Sequence, residues 1–306
     1  MSTLIVNPLL NPFFVPGAYR IALLLGLSSL LIVWVLRKHG RNLFLQGLFI
    51  KWRTWAIIAP LYLGAVFGGP LAVGVLVLAM TLQGLREYAE LVGLVSHYRR
   101  VLKIMGLTAA PVGLVSLDGF YLLAPLLLLV AVAQPLAFQA VSTGIRQLAL
   151  SSFGWAYIAW LLAHLVLISR YIPGGDGVLL VIGAAVALSD NTAFAVGSLF
   201  GRHKLTSLSP NKTWEGVIGN LLGAYLGTGL MSFALPENLY WLLLIGLPPL
   251  IAIGSVWGDL FESAIKREAG VKDAGSWLPG FGGLLDRIDS LILVAPLSYY
   301  FLRLTI

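Results

Sequence analysis

The sequence predicts an all-α, polytopic membrane protein of roughly eight to ten transmembrane helices, with its polar chemistry gathered in a C-terminal helical bundle and cytoplasmic loops. Three observations carry that expectation. Hydrophobic residues make up 58% of the 306-residue chain and charged residues only 11%, where a soluble domain is about a quarter charged. The apolar residues fall in long runs separated by glycine, proline or charge. The basic residues collect in every second connection, as expected of loops kept on the cytoplasmic side. A formal charge of +7 then reflects topology and anionic headgroups, and no nucleic-acid partner is expected. Cysteine is absent, which excludes disulfides and thiolate metal sites.

The opening MSTLIVNPLLNPFFVPG has neither a positive n-region nor a small-residue cleavage site, so no cleaved signal peptide is expected. Apolar runs predict spans over 18–36, 54–68, 70–84, 104–117, 119–135, 153–170, 177–199, 215–234, 239–256 and 288–305. Gly68-Gly69-Pro70 and Asp118-Gly119 supply tight turns between neighbouring spans. With these spans, every one of the 20 Lys and Arg residues except Arg20, Arg170 and Arg303 falls on one side. The positive-inside rule makes that side the cytoplasm and puts both termini outside. A basic amphipathic stretch surrounds Arg41 to Arg53, and Glu87, Glu90, Arg99 and Arg100 read as a solvated face. His39, His97, His164 and His203 have no metal-ligand spacing and read as packing or interface residues.

Composition shifts near residue 175. The N-terminal and middle transmembrane region, 1–174, is mostly leucine-rich, whereas 175–306 holds nearly all the intramembrane polar residues. Gly219, Gly223 and Gly227 share one helical face, a spacing that suits close packing within the protomer or, less simply, a dimer contact. Ser189-Asp190 interrupts an apolar span. An aspartate at that depth is a functional candidate paired with lysine or metal, or else a member of a structural ion pair. The loop GRHKLTSLSPNKTWEG, Gly201 to Gly216, offers Lys204, Ser209, Lys212, Thr213 and Glu215 as a polar site, with Trp214 at headgroup level.

The densest chemistry lies between Ser263 and Asp289. Asp259, Glu262 and Lys266 stand at i, i+3 and i+7, one face of a helix. Asp286 and Asp289, also i and i+3, open the last span. Two acidic pairs at facing helix ends suit one or two divalent cations such as Mg²⁺. Asp286 as an N-cap and Asp289 as a first-turn acid suit the spacing equally. Lys266, Arg267, Lys272 and Arg287 are cations fitted to phosphate, with Asp273 beside them. LPGFGG, ending in Gly282 and Gly283, either brings backbone N–H groups to a phosphate or forms a plain re-entrant turn. The combination points to phosphoryl or nucleotidyl transfer at a membrane surface.

At these residues the chain resembles the phosphatidate cytidylyltransferase (CDP-diacylglycerol synthase) family. Ser263, Lys266, Arg267, Lys272, Asp273, Pro279, Gly282, Gly283, Asp286, Arg287 and Asp289 match its signature in register, and the blocks at Ser189-Asp190, Phe200 to Leu205 and SPNKTWEG follow the family order. The family's P-x-H-G-G histidine is Phe281 here, a ring that neither hydrogen-bonds nor transfers a proton. The resemblance implies Mg²⁺-dependent transfer of a cytidylyl group from CTP to phosphatidic acid, in a bacterial-type inner membrane with the site facing the cytoplasm, by a homodimer. It also implies that Asp259, Asp286 and Asp289 hold the metal, with Asp190 or Glu262 as a further candidate, and that the basic residues hold phosphates. The rival expectations are a membrane lipid transporter or flippase, and a divergent paralogue with altered lipid substrate or reduced activity.

Overall fold

Glycine and proline set where the helices begin and end. In a computed structural model that describes residues 4–39, 43–137, 143–271, 273–275, 277 and 282–305, the chain is helical, with no strand among the described residues. Helices α1 (Phe14–His39) and α2 (Leu43–Phe67) come first. Gly69 then turns the chain at φ +92°, and Pro70 opens α3 (Pro70–Leu91) with its fixed φ and missing N–H. A β-carbon on Gly69 would stand 2.9 Å from the Leu4 carbonyl oxygen. Two short helices follow, α4 (Ser96–Gly106) and α5 (Ala109–Val115), before α6 (Leu117–Ala137).

The expected span over 104–117 is therefore not one helix. The chain breaks at Leu107-Thr108, where the Thr108 hydroxyl donates back to the Met105 carbonyl at 2.6 Å. The seven residues of α5 rise only about 10 Å, far short of a bilayer. Beyond it, α7 (Gly144–Gly154) runs through a π-helical turn, Trp155–Trp160, towards α8 (His164–Tyr171). Gly174, at φ +68°, ends that segment ahead of α9 (Gly175–Phe200). The last three helices are α10 (Trp214–Leu230), of 17 residues, α11 (Tyr240–Glu268) and α12 (Leu285–Thr305). Among the described residues, 7 helical segments are long and apolar enough to cross a membrane. That count falls short of the eight to ten spans expected, since the runs over 54–68 and 215–234 are not among the seven, so strict alternation of loops does not follow from it. Lys272, Pro279 and Phe281, and Arg41 of the basic stretch, lie outside the described residues.

Backbone proximity organises the second half. Gly219, Gly223 and Gly227 face α9, where β-carbons would press on Val196, on the Leu188 carbonyl and, at 2.5 Å, on Ala185 Cα. The glycine stripe thus packs within the protomer, as small residues let membrane helices do. On α11, Gly254 lies against Val294, and a β-carbon on Gly258 would overlap the Asp289 carbonyl of α12. Helix α12 also packs on α3 and α8, which brings the first half of the chain to its side. His164 is fully buried there, with Nδ1 3.1 Å from the Trp160 and Leu161 carbonyls and its ring set among Phe120, Tyr299 and Tyr300. The packing role expected for it holds.

Replacing Gly258 by Ala is expected to force α11 and α12 apart and to cost about 1–3 kcal/mol as an overpacked core does. A thermal unfolding scan of the detergent-purified variant measures it; a midpoint equal to the parent's would mean that the two helices do not need that approach.

Candidate active site

Helix α11 runs past its apolar span and carries Ser255, Asp259, Glu262, Ser263 and Lys266 on one face before ending at Glu268. Helix α12 begins with Asp286, Asp289 and Ser290 on the side that meets it. Because Gly258 admits the α12 backbone so closely, side chains from both helices converge. One carboxylate oxygen from each of Asp259, Glu262 and Asp289 lies within 4.8 Å of the others. Glu262 is fully buried and Asp289 is 7% exposed, whereas the Asp259 side chain stays 42% open.

Two lysines offset part of this charge. Lys266 Nζ stands 2.5 Å from Glu262 Oε2 and 2.6 Å from Asp286 Oδ1. Lys212 Nζ, from the loop between α9 and α10, stands 2.5 Å from Asp259 Oδ2. Ser263 Oγ also donates to Asp259 at 3.4 Å. Glu262 Oε1 is buried without a hydrogen-bond partner. Clustered buried carboxylates repel one another and are costly unless cations compensate them. An orphaned oxygen among three close carboxylates fits a hard divalent cation, which takes oxygen ligands.

Deeper in the bundle a polar chain ties four helices together. Ser255 Oγ donates to Asp190 Oδ1 at 2.6 Å and lies 3.2 Å from Ser290 Oγ, while Asn220 Nδ2 donates to Ser255 at 3.1 Å. Asp190 is thus a partner of serines from α11 and α12. Its neighbour Ser189 is buried and donates back to Val186 O of its own helix at 2.8 Å.

Several expected site residues have other partners. Both oxygens of Asp286 are engaged: Oδ1 by Lys266, and Oδ2 by the backbone N–H groups of Ala274 (2.9 Å) and Gly283 (2.8 Å). It does not join the trio of Asp259, Glu262 and Asp289. Asp286 lies in the first turn of α12 and not at its N-cap, and its carboxylate satisfies N–H groups of the chain that precedes the helix. Gly282, at φ +83°, and Gly283 form the turn around that carboxylate. Their role is conformational, and the Gly283 N–H is not free for phosphate. Thr213 caps α10 by accepting from Gly216 N at 3.1 Å. Glu215 accepts from the Arg202 and His203 N–H groups and pairs with His203 Nδ1 at 2.6 Å. Both close the 201–213 loop on itself instead of facing outward for a ligand. Lys204 is exposed and its backbone bridges to Thr213, and the Ser209 carbonyl accepts from Lys212 N at 3.0 Å. Arg267, Asp273 and Arg287 are exposed around the rim. Lys272 lies outside the described residues.

Glu87 was read as a solvated acid, and that reading is overturned. It is 3% exposed and its carboxylate accepts from Leu284 N (3.0 Å), Leu285 N (2.7 Å) and Gln83 Nε2 (2.8 Å). Glu90 is exposed as expected and pairs with Arg86 at 3.3 Å. The available signal was position: Glu87 follows Gly84 by three on the face that also buries Val73, Val77 and Tyr88. Ser255 and Ser290 were missed as well. They sit one turn before Asp259 and one residue after Asp289, and serine in an apolar helix carries little signal alone.

Fold and site together define a polytopic membrane protein with a carboxylate–lysine centre suited to a divalent cation and phosphate. The chain belongs to the Cytidylyltransferase family, whose profile matches residues 50–305. It is 48% identical over 128 residues to phosphatidate cytidylyltransferase 5, chloroplastic, of Arabidopsis thaliana, covering 41% of this chain and 32% of that protein. With the phosphatidate cytidylyltransferase of Thermotoga maritima it shares 36% identity over 160 residues, 50% of this chain and 58% of the other. A match along nearly the whole length, 93% of this chain and 96% of the other at 33% identity, is to uncharacterized protein YnbB of Escherichia coli (strain K12). The chain therefore spans about a third of the chloroplast relative's length and over half of the Thermotoga one.

Lys266→Met would strand the buried carboxylates of Glu262 and Asp286. The expected loss is about 3–5 kcal/mol, as for a broken buried ion pair. Denaturant unfolding of the purified variant checks this; unfolding identical to the parent's would show the bridge to be dispensable.

Proposed function

We propose that this protein transfers a cytidylyl group from CTP to phosphatidic acid, giving CDP-diacylglycerol and pyrophosphate for phospholipid synthesis. The observation that carries the proposal is the convergence of Asp259, Glu262 and Asp289 beside Lys212 and Lys266. In the reaction an oxygen of the lipid phosphate attacks the α-phosphorus of CTP. One P–O bond forms there as the bond to the β-phosphate oxygen breaks, and pyrophosphate carries away the electron pair. Both reactants are polyanions, so catalysis rests on positioning and on neutralising charge.

Asp259, Glu262 and Asp289 are the residues that would hold Mg²⁺. When bound, the ion polarises the phosphoryl oxygens and offsets charge on the leaving pyrophosphate. A second cation, Asp190 as a further ligand and a homodimeric assembly belong to the same proposal. Lys212 is placed to exchange its contact with Asp259 for a substrate phosphate. Arg267 and Arg287 at the rim would attract the triphosphate from the aqueous side, which this proposal takes to be the cytoplasm. Lys266 is committed to two carboxylates and would chiefly keep the acidic group together.

A lipid acceptor is further supported by an apolar cleft of about 620 Å³ lined by Tyr157, Trp160, Leu208, Trp257, Phe261 and Leu293. Trp257 and Phe261 belong to α11, the helix that also carries Asp259 and Glu262, so in this reading an acyl chain held along α11 would leave its phosphate within reach of the carboxylates. The transfer from bilayer to cleft gains little from hydrophobicity, since lipid is already apolar. Shape would then decide which chains are accepted.

The test incubates the purified chain in detergent with labelled CTP and phosphatidic acid over a range of Mg²⁺. Cation-dependent CDP-diacylglycerol formation is expected, abolished by chelation. Asp289→Asn should lower kcat by about 10²–10³-fold, and Asp286→Asn by the smaller 10–100-fold typical of a supporting residue. Unimpaired turnover by Asp289→Asn would defeat the assignment of the site.

A further inference from the structure

We infer that Glu87 of α3 is a positioning residue for the carboxylate centre, acting through the first turn of α12. The inference rests on the nucleotidyl-transfer reading above and extends it to the half of the chain that carries none of the signature residues.

The backbone N–H groups of three successive residues before and at the start of α12 all end on carboxylates. Gly283 donates to Asp286, and Leu284 and Leu285 donate to the two oxygens of Glu87. These donors form the positive end of α12, and left open they would bind an anion. Glu87 fills that position from nearly 200 residues away, so α3 fixes where α12 begins. Gln83, one turn earlier, donates to Glu87 Oε1 and sets its aim. Two glycines make room for it. A β-carbon on Gly275 would come 3.2 Å from Glu87 Oε1, and one on Gly283 would come 2.6 Å from Oε2.

What α12 then carries makes the contact more than a helix cap. Asp286 lies one residue beyond Leu285 and reaches Lys266, and Lys266 reaches Glu262. Asp289 lies one turn further and completes the trio with Asp259 and Glu262. A rotation or slip of the first turn of α12 moves Asp286 and Asp289 together relative to α11. Glu87 touches neither reactant. Its contribution is to hold that turn in the register in which the carboxylates meet. Its second effect is to keep the α12 N-terminus from capturing a substrate phosphate in the wrong place.

The experiment measures Mn²⁺ binding to the purified full-length protein by electron paramagnetic resonance, with unfolding midpoints and steady-state kinetics on the same samples. Glu87→Gln keeps the shape but replaces one acceptor oxygen by an amide that opposes a backbone N–H. It is expected to weaken Mn²⁺ binding and to lower kcat, each about 10–100-fold, the range for residues that orient metal ligands. The KM for phosphatidic acid should stay within about twofold, because the lipid cleft is built by other helices. Glu87→Asp should recover part of the binding. If Glu87→Gln does not fold, Gly275→Ala supplies the milder disturbance and should weaken Mn²⁺ in the same direction.

A folded Glu87→Gln or Gly275→Ala protein with parental Mn²⁺ affinity and kcat would overturn the inference. So would loss of stability with cation binding unchanged, which marks a purely structural cap. Failure of the reading beneath it has a different signature: the parent would bind Mn²⁺ through these carboxylates, lose it in Glu87→Gln, and yet form no CDP-diacylglycerol.

Discussion

The contact between α11 and α12 at Gly258 is the constraint from which the site follows. With no side chain at that position, the α12 backbone comes close enough for Asp289 to lie beside Asp259 and Glu262. A larger residue would separate the helices by the width of a methyl group. That separation is enough to replace one shared centre by isolated acids, each with its own desolvation cost. Lys266 then converts proximity into order, since its ammonium satisfies Glu262 on its own helix and Asp286 on the other. Packing and electrostatics thus reinforce each other at one point of the bundle.

Around that point the protein neutralises its own charges before any ligand arrives. Lys212 meets Asp259, Glu215 closes the 201–213 loop, and Asp286 with Glu87 occupies the N–H groups that open α12. One oxygen of Glu262 keeps no hydrogen-bond partner, and the Asp259 side chain stays 42% open. The polar chain Asn220–Ser255–Asp190, with Ser290 beside Ser255, links α9, α10, α11 and α12 through their side chains.

Much of this was legible in the sequence, and for an identifiable reason. Helical periodicity put Asp259, Glu262 and Lys266 on one face without knowledge of any partner, and the motif match named the family that the comparison with known proteins then established. The glycine stripe on α10 was read correctly because close backbone approach has a local signature. Asp286 was ambiguous because acids that serve a helix start and metal ligands share the i, i+3 spacing, and its contacts with Ala274 and Gly283 cannot be read from a residue list. Thr213 and Glu215 looked like ligand groups because their partners, backbone N–H groups, are invisible in a residue list. Glu87 was out of reach for a different reason. Its donors lie at the far end of the chain, and its exposed neighbours Arg86 and Glu90 advertise a solvated face. The span over 104–117 failed because hydropathy does not register the break at Leu107-Thr108.

The brevity of α10 has a consequence for the surrounding lipid. Its 17 residues rise about 25 Å, several ångströms less than the roughly 30 Å hydrocarbon layer of a typical bilayer. Hydrophobic mismatch of that size is met by local thinning or by drawing the flanking turn below the headgroup plane, at fractions of a kcal/mol per ångström. The turn at the N-terminus of α10 is the one that carries Lys212. If α10 crosses the bilayer, a dimple in the leaflet at that edge would lower neighbouring headgroups towards the acidic centre, so that the length of one helix would set how deep the surrounding lipid sits.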